Sequence, residues 1–133
     1  GKATRLAERT DKPTKKAKVP HVEAPEWLLN DMLTIRLHLD AMTEENGPLM
    51  VIPGSHHGGK KLELGSVDPV EIHTNQGDAL VIRPLVAHSS RKSNPETESH
   101  RRVLHLEFAG CRELPDGYQW NHYFDESVGG MGR

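Results

Sequence analysis

A histidine and an aspartate two residues apart, a second histidine far downstream and a pair of arginines after it are the side chains here most suited to chemistry. They are His38-Leu39-Asp40, His88 and Arg101-Arg102. Residues i and i+2 of an extended strand point the same way. A His-x-Asp pair can therefore grip one face of a metal ion, and a remote histidine completes the two-histidine, one-carboxylate set of a non-haem iron oxygenase. A co-substrate such as 2-oxoglutarate chelates that metal through one end and needs its far carboxylate anchored. A guanidinium fork does this with two parallel charge-assisted hydrogen bonds. Plainer explanations stand beside these, since His-x-Asp arises often by chance and two arginines at a strand end can simply be solvated.

The chain has 9 histidines in 133 residues, more than composition alone leads one to expect, and most must be bystanders. His73, His100, His105 and His122 read as structural or exposed. His56 and His57 fall in a loop rich in Gly, Ser, His and Lys, residues 55–61.

These groups are positioned by short alternating segments. From Leu33 to Asp40 the residues alternate strictly, with Leu33, Ile35, Leu37 and Leu39 on one face and Thr34, Arg36, His38 and Asp40 on the other, which predicts a strand. A row of arginine, histidine and aspartate is either solvated or lines a cavity. Before it, Pro20 and Pro25 bracket a turn, and Glu26 to Met32 suits one or two helical turns with Trp27 and Leu28 inward. After it come a turn cluster at Glu44 to Pro48, a short strand Leu49 to Ile52 closed by Pro53-Gly54, and a hairpin or corner at Asn75-Gln76-Gly77-Asp78 between Val70–His73 and Ala79–Ile82. Pro84 to His88 is expected to continue as a strand, and Arg102 to Phe108 alternates again. About six short strands, little helix and one long polar loop predict an all-β jelly-roll, or cupin-like, double-stranded β-helix barrel with a short helix. Met32, Met42 and Met50 read as core fillers, and the aromatic residues Tyr118, Trp120, Tyr123 and Phe124 as closing a barrel edge.

Composition narrows the partners. A formal net charge of -2 argues against a general nucleic-acid or membrane-surface binder, so a small-molecule partner is expected. One cysteine, Cys111, permits no intramolecular disulfide and fits a cytoplasmic setting. No apolar run approaches the roughly 20 residues of a membrane span. Residues 1–18 are polar and basic and read as a flexible arm or severed connection, 19–124 as the barrel domain, and 125–133 as a flexible tail. Oligomeric state is not legible.

The stretch LTIRLHLDAMTEENGPLMVIPGSHHG, Leu33 to Gly58, with GDALVIRPLVAHSSRKSNPETESHRRVLHLEF, Gly77 to Phe108, resembles the bacterial branch of the phytanoyl-CoA dioxygenase family of Fe(II)- and 2-oxoglutarate-dependent oxygenases. The motifs are Asn46-Gly47-Pro48-Leu49 leading into Ile52-Pro53-Gly54-Ser55-His56, then Gly77-Asp78, then a histidine followed by Ser-Ser and an Arg-Arg-x-Leu strand. The resemblance runs from about Val19 to Tyr123. It implies that His88 takes the place of the distal iron-ligating histidine, and Arg101 that of the arginine binding the far carboxylate of 2-oxoglutarate. Ser90 matches a hydroxyl that helps bind the same carboxylate. Arg36 matches a strand position facing the co-substrate, and His56 lies near the active-site mouth. The polar row would then be the inside of the barrel.

The same resemblance demotes His38-Leu39-Asp40. In the family the metal-binding His-x-Asp precedes this strand, beyond a lid-like loop, and Gly1 begins about where that motif should have ended. His21-Val22-Glu23 has the spacing but sits too close to the strand. The barrel is accordingly expected to be incomplete on its N-terminal side. Three explanations stay open: a fragment, a scaffold that has given up iron chemistry, or recruitment of His38 and Asp40 as substitute ligands. The expected reaction of a whole enzyme is hydroxylation of a small organic substrate coupled to decarboxylation of 2-oxoglutarate to succinate. The rival from another class is a non-catalytic barrel that binds a dicarboxylate or other small anion.

Overall fold

A computed structural model of the chain describes residues 14–16, 19–62, 65–125 and 130–132. The architecture is mainly β. In chain order the elements are β1 (Thr14–Lys16), β2 (Val19–His21), α1 (Glu26–Asn30), β3 (Met32–His38), β4 (Leu49–Val51), β5 (Val70–Ile72), β6 (Ala79–Ile82), β7 (His88–Ser90), β8 (Val103–Ala109), β9 (Tyr123–Asp125) and β10 (Gly130–Gly132). β6-β3-β8 and β5-β4-β7 form two three-stranded sheets, and β1-β2 and β9-β10 form two ribbons. All pairings are antiparallel, giving the mostly-β, cupin-like fold the alternation predicts. No helix is long and apolar enough to cross a membrane among the described residues. The parts of the expected arm at 1–13 and 17–18, and of the expected tail at 126–129 and 133, lie outside the described residues.

α1 starts at Pro25, whose carbonyl accepts from the amides of Leu28 and Leu29 at 3.0 and 3.1 Å, and it buries Leu28. It ends where period-two alternation takes over. Along β3 the side chains of Met32, Thr34 and His38 are buried, while Leu33 is exposed. Directly opposed residues of an antiparallel pair share a face. This side of the sheet combines buried Thr34 and His38 and half-buried Arg36 with half-buried Leu80 and Ile82 of β6 and Val103 of β8, while His105 and Glu107 on the same side of β8 are exposed. Its other face is apolar and open: Leu33, Val81, Leu104, Leu106 and Phe108 are all exposed. The usual assignment of apolar side chains inward and polar ones outward is inverted on β3, and the polar row faces the interior.

The turn Asn75 to Asp78 is a corner rather than a hairpin, because the strands it joins lie in different sheets. Gly77 takes φ +90° there, and Asp78 Oδ2 accepts from the Asn75 amide at 2.7 Å. The corner is docked on the end of β3: His38 N donates to Asp78 O at 2.9 Å and Gly77 N to His38 O at 2.8 Å.

One expected strand is displaced. Pro84 to His88 does not extend; residues 84–86 turn, with Val86 N donating to Arg83 O at 3.0 Å, and the strand begins at His88. Pro84 has no N–H to give a ladder and a fixed φ that suits a turn.

Asn46 holds the loops together. It is 3% exposed; its Oδ1 accepts from Thr43 N at 2.8 Å, and its Nδ2 donates to the carbonyls of Ala41 and His100 at 2.8 and 3.0 Å. Gly47 next to it has φ +79°, and a Cβ there would strike the Arg91 carbonyl oxygen. Only glycine lets the 91–94 loop come so close. Ser93 Oγ adds a bond to Asn46 O at 3.0 Å. Through this clasp the Glu44–Pro48 turn fixes the backbone immediately before Arg101.

Asn46→Ala is expected to cost about 1–3 kcal/mol, because it removes three hydrogen bonds of a buried side chain and leaves part-buried backbone groups without them. Denaturant titration measures this; a loss indistinguishable from that of an exposed-site alanine contradicts the clasp.

Candidate functional site

The inward row of β3 gathers positive charge. Arg36 and His38 stand two residues apart on one face, His105 lies directly across from Arg36, and Val103 across from His38. Arg101 continues the β8 alternation on this same side, while Arg102 falls with the outward set. Opposed Cβ atoms in such a ladder are about 4.5–5.5 Å apart and diagonal ones about 7–8 Å, so long side chains from these positions reach one another. Their fields overlap: burial, and then the Arg101 charge, pull the Arg36 pKa down from its ordinary value. Burial is also the first cause lowering the His38 pKa, followed by Arg36, with Arg101 and His105 adding and Asp78 opposing.

What sets this cluster apart is unmet hydrogen-bonding capacity. His38 is 0% exposed, and neither of its ring nitrogens has a partner among the described residues. Arg36 Nε and Arg101 Nη1 are buried and also unpartnered. A buried donor without an acceptor costs about 1–3 kcal/mol, more when charged. Several on neighbouring positions of one face are donors that an acceptor-rich anion would satisfy.

Arg102 does not compete for that role. Its N, Nε and Nη2 donate to Asp40, the first two to Oδ2 and the third to Oδ1, each at 2.8 Å. This fork holds the Asp40 carboxyl well below the usual carboxylate range and raises the Arg102 pKa. The carboxylate of His38-Leu39-Asp40 is thus bound to a guanidinium at the strand end, and recruitment of His38 and Asp40 as metal ligands does not fit. No three His, Cys, Asp or Glu side chains are grouped to hold a metal ion among the described residues.

His88 and Ser90 are not brought into the Arg36 cluster by any direct contact. They lie on β7, two residues apart and so on one face, opposite Val51 and Leu49 respectively. That face is the one Leu49 buries, at 1% exposed, yet His88 and Ser90 themselves are exposed. The His88 Nδ1 meets Val86 O at 2.7 Å. An N–H donated to that carbonyl fixes the tautomer and leaves Nε2 with its lone pair available, the usual form of a ligating histidine.

Two positioning residues lie within the motifs but were not singled out as functional from sequence. Asn46 is one. Ser55 is the other: its Oγ donates to Ile52 O at 2.7 Å and accepts from Ala87 N at 2.8 Å, fixing the residue before His88. The polar types in Asn-Gly-Pro and Pro-Gly-Ser were the available signal. His56 sits in the 3-10 turn Ser55–Gly58 with its ring centroid 4.0 Å from that of His57. Its Nδ1 is buried without a partner, and burial, then His57 and Arg83, lower its pKa. A groove of about 700 Å³ follows the free edge of β8, bordered by Trp120 and Tyr123. It meets this side of the sheet at Met32, His105 and Glu107 and is not lined by Arg36, His38 or Arg101.

The depressed Asp40 pKa has a definite sign. Its stabilisation is complete above the unfolded carboxyl pKa of about 3.9 and is lost as pH falls below it. Asp40→Asn is expected to flatten the acid limb of a circular-dichroism pH titration; an unchanged limb contradicts the pairing.

The family comparison agrees with this geometry in kind. The model of the phytanoyl-CoA dioxygenase family matches residues 9–103, a span holding Arg36, His88, Ser90 and Arg101. No solved structure matches the chain. With most of its length covered by that match, the chain belongs to the phytanoyl-CoA dioxygenase family.

Proposed function

We propose that this chain acts as a domain of an Fe(II)- and 2-oxoglutarate-dependent dioxygenase, in which Arg101, Ser90 and Arg36 hold the co-substrate and His88 is one metal ligand. Membership of an oxygenase family supplies the reaction class: hydroxylation of a C–H bond in a small organic substrate, with 2-oxoglutarate converted to succinate and carbon dioxide. The observation that carries the residue-level reading is the convergence of Arg36 and Arg101 with buried, unpartnered donors. A dicarboxylate answers that need: the far carboxylate takes the Arg101 fork, and Arg36 offsets charge beside it. The Ser90 hydroxyl is proposed to donate to the same carboxylate from β7.

The described residues do not make a metal site. His88 supplies one imidazole, Asp40 is engaged by Arg102, and a single neutral imidazole neither chelates nor neutralises a divalent ion. These residues therefore account for co-substrate anchoring and not for oxygen chemistry. The setting is proposed to be cytoplasmic, in keeping with the free thiol of Cys111.

Calorimetric titration with 2-oxoglutarate and no metal tests the anchor. Saturable binding is expected, weakened roughly tenfold to a hundredfold by Arg101→Gln, the worth of a charge-assisted hydrogen bond, and nearly unchanged by Arg102→Gln. Equal losses in both variants, or no binding by the parent chain, overturn the reading.

A further inference from the structure

We propose that His38 is a third recognition group of this anion pocket, donating a hydrogen bond to the bound dicarboxylate and taking up a proton as it enters. The inference rests on the co-substrate reading above and adds a residue and a proton to it.

The argument starts from the side chain's position. An imidazole excluded from solvent with both ring nitrogens unpartnered is unusual, because neutral imidazole carries one donor and one acceptor and each normally finds a mate. Its own strand offers no partner: the neighbours in the alternating row are Arg36, a donor only, and Asp40, both of whose carboxylate oxygens accept from Arg102. From the β8 side come Arg101, also a donor only, diagonal to it, and His105 on the other diagonal. From the β6 side comes Asp78, whose backbone carbonyl takes the His38 amide and whose carboxylate takes the Asn75 amide. His38 thus feels two guanidiniums, each with a buried nitrogen that, like its own ring nitrogens, has no partner, and an acceptor would serve all three.

Charge decides the proton. With no anion beside it, burial and the fields of Arg36, Arg101 and His105 outweigh Asp78 and disfavour the protonated imidazole. A dicarboxylate brings two negative charges into that field and reverses its sign, so the protonated imidazole is favoured in the complex. By linkage, affinity for the dianion then strengthens as pH is lowered across the neutral range. A pocket of guanidiniums alone would show no such dependence.

The test is titration of the whole chain with 2-oxoglutarate in two buffers of different ionisation enthalpy at one neutral pH. The expected result is net uptake of about one proton per ligand, absent in His38→Gln, together with an affinity roughly tenfold or more weaker in that variant. A parent chain that binds without proton uptake, with His38→Gln equal to it while Arg101→Gln fails, overturns the role of His38 and leaves the co-substrate reading standing. A parent chain that binds no 2-oxoglutarate overturns both. Should His38→Gln not fold, nitrogen-15 spectra of the parent chain's imidazoles decide: one ring passing from neutral to protonated on saturation is expected, and no change overturns the proposal.

Discussion

Positive charge turned inward is the constraint from which the rest of this structure follows. Turning Arg36 and Arg101 to the side of the sheet where His38 is buried leaves Arg36 Nε, Arg101 Nη1 and both His38 ring nitrogens without partners among the described residues, and an unmet buried polar group costs about 1–3 kcal/mol. Proteins accept uncompensated burial chiefly where a bound partner completes the hydrogen bonds. Leu33, Val81, Leu104, Leu106 and Phe108 of the same strands are left outward and exposed, and part of the packing that an ordinary amphipathic strand gains is given up on β3 for a cluster suited to an anion.

A cluster of like charges holds its geometry only if its backbone is fixed from outside. Three devices do this. Asn46 spans from its own turn to the His100 carbonyl and delivers Arg101. Asp40 captures Arg102 through its backbone and guanidinium, so that of the adjacent arginines only Arg101 is left to act on Arg36 and His38. Ser55 links the Pro-Gly turn to Ala87 and so sets where His88 emerges. Each is a short polar side chain bonding to distant backbone. Losing one is therefore expected to be felt at the pocket as well as in stability.

Much of this was legible in the sequence, for reasons that differ by element. The β3 alternation was plain because period two is a local property, but its inversion was not: periodicity says which residues share a face and not which face is buried. The resemblance carried by Asn46 to His56 and by Gly77 to Phe108 supplied that orientation. The strand placed at Pro84–His88 began instead at His88, where a proline set the turn that apolar content had concealed. Asp40 looked like a metal ligand from its spacing to His38, yet it is tied to a residue 62 positions away. The Asn46 bond to His100 spans 54 positions. Spacing cannot disclose such pairings, since they depend on tertiary closure of the loops.

Oxygen chemistry asks for ligands that the described residues do not group together, so the account stands or falls on the anion site. A crystal structure of the chain grown with 2-oxoglutarate tests it most directly. The account predicts one carboxylate within hydrogen-bond distance of Arg101 Nη1, with Arg36 Nε and His38 turned to the same molecule. Density for ordered water alone on those three side chains, with the dicarboxylate bound elsewhere or Arg101 swung to solvent, would contradict it.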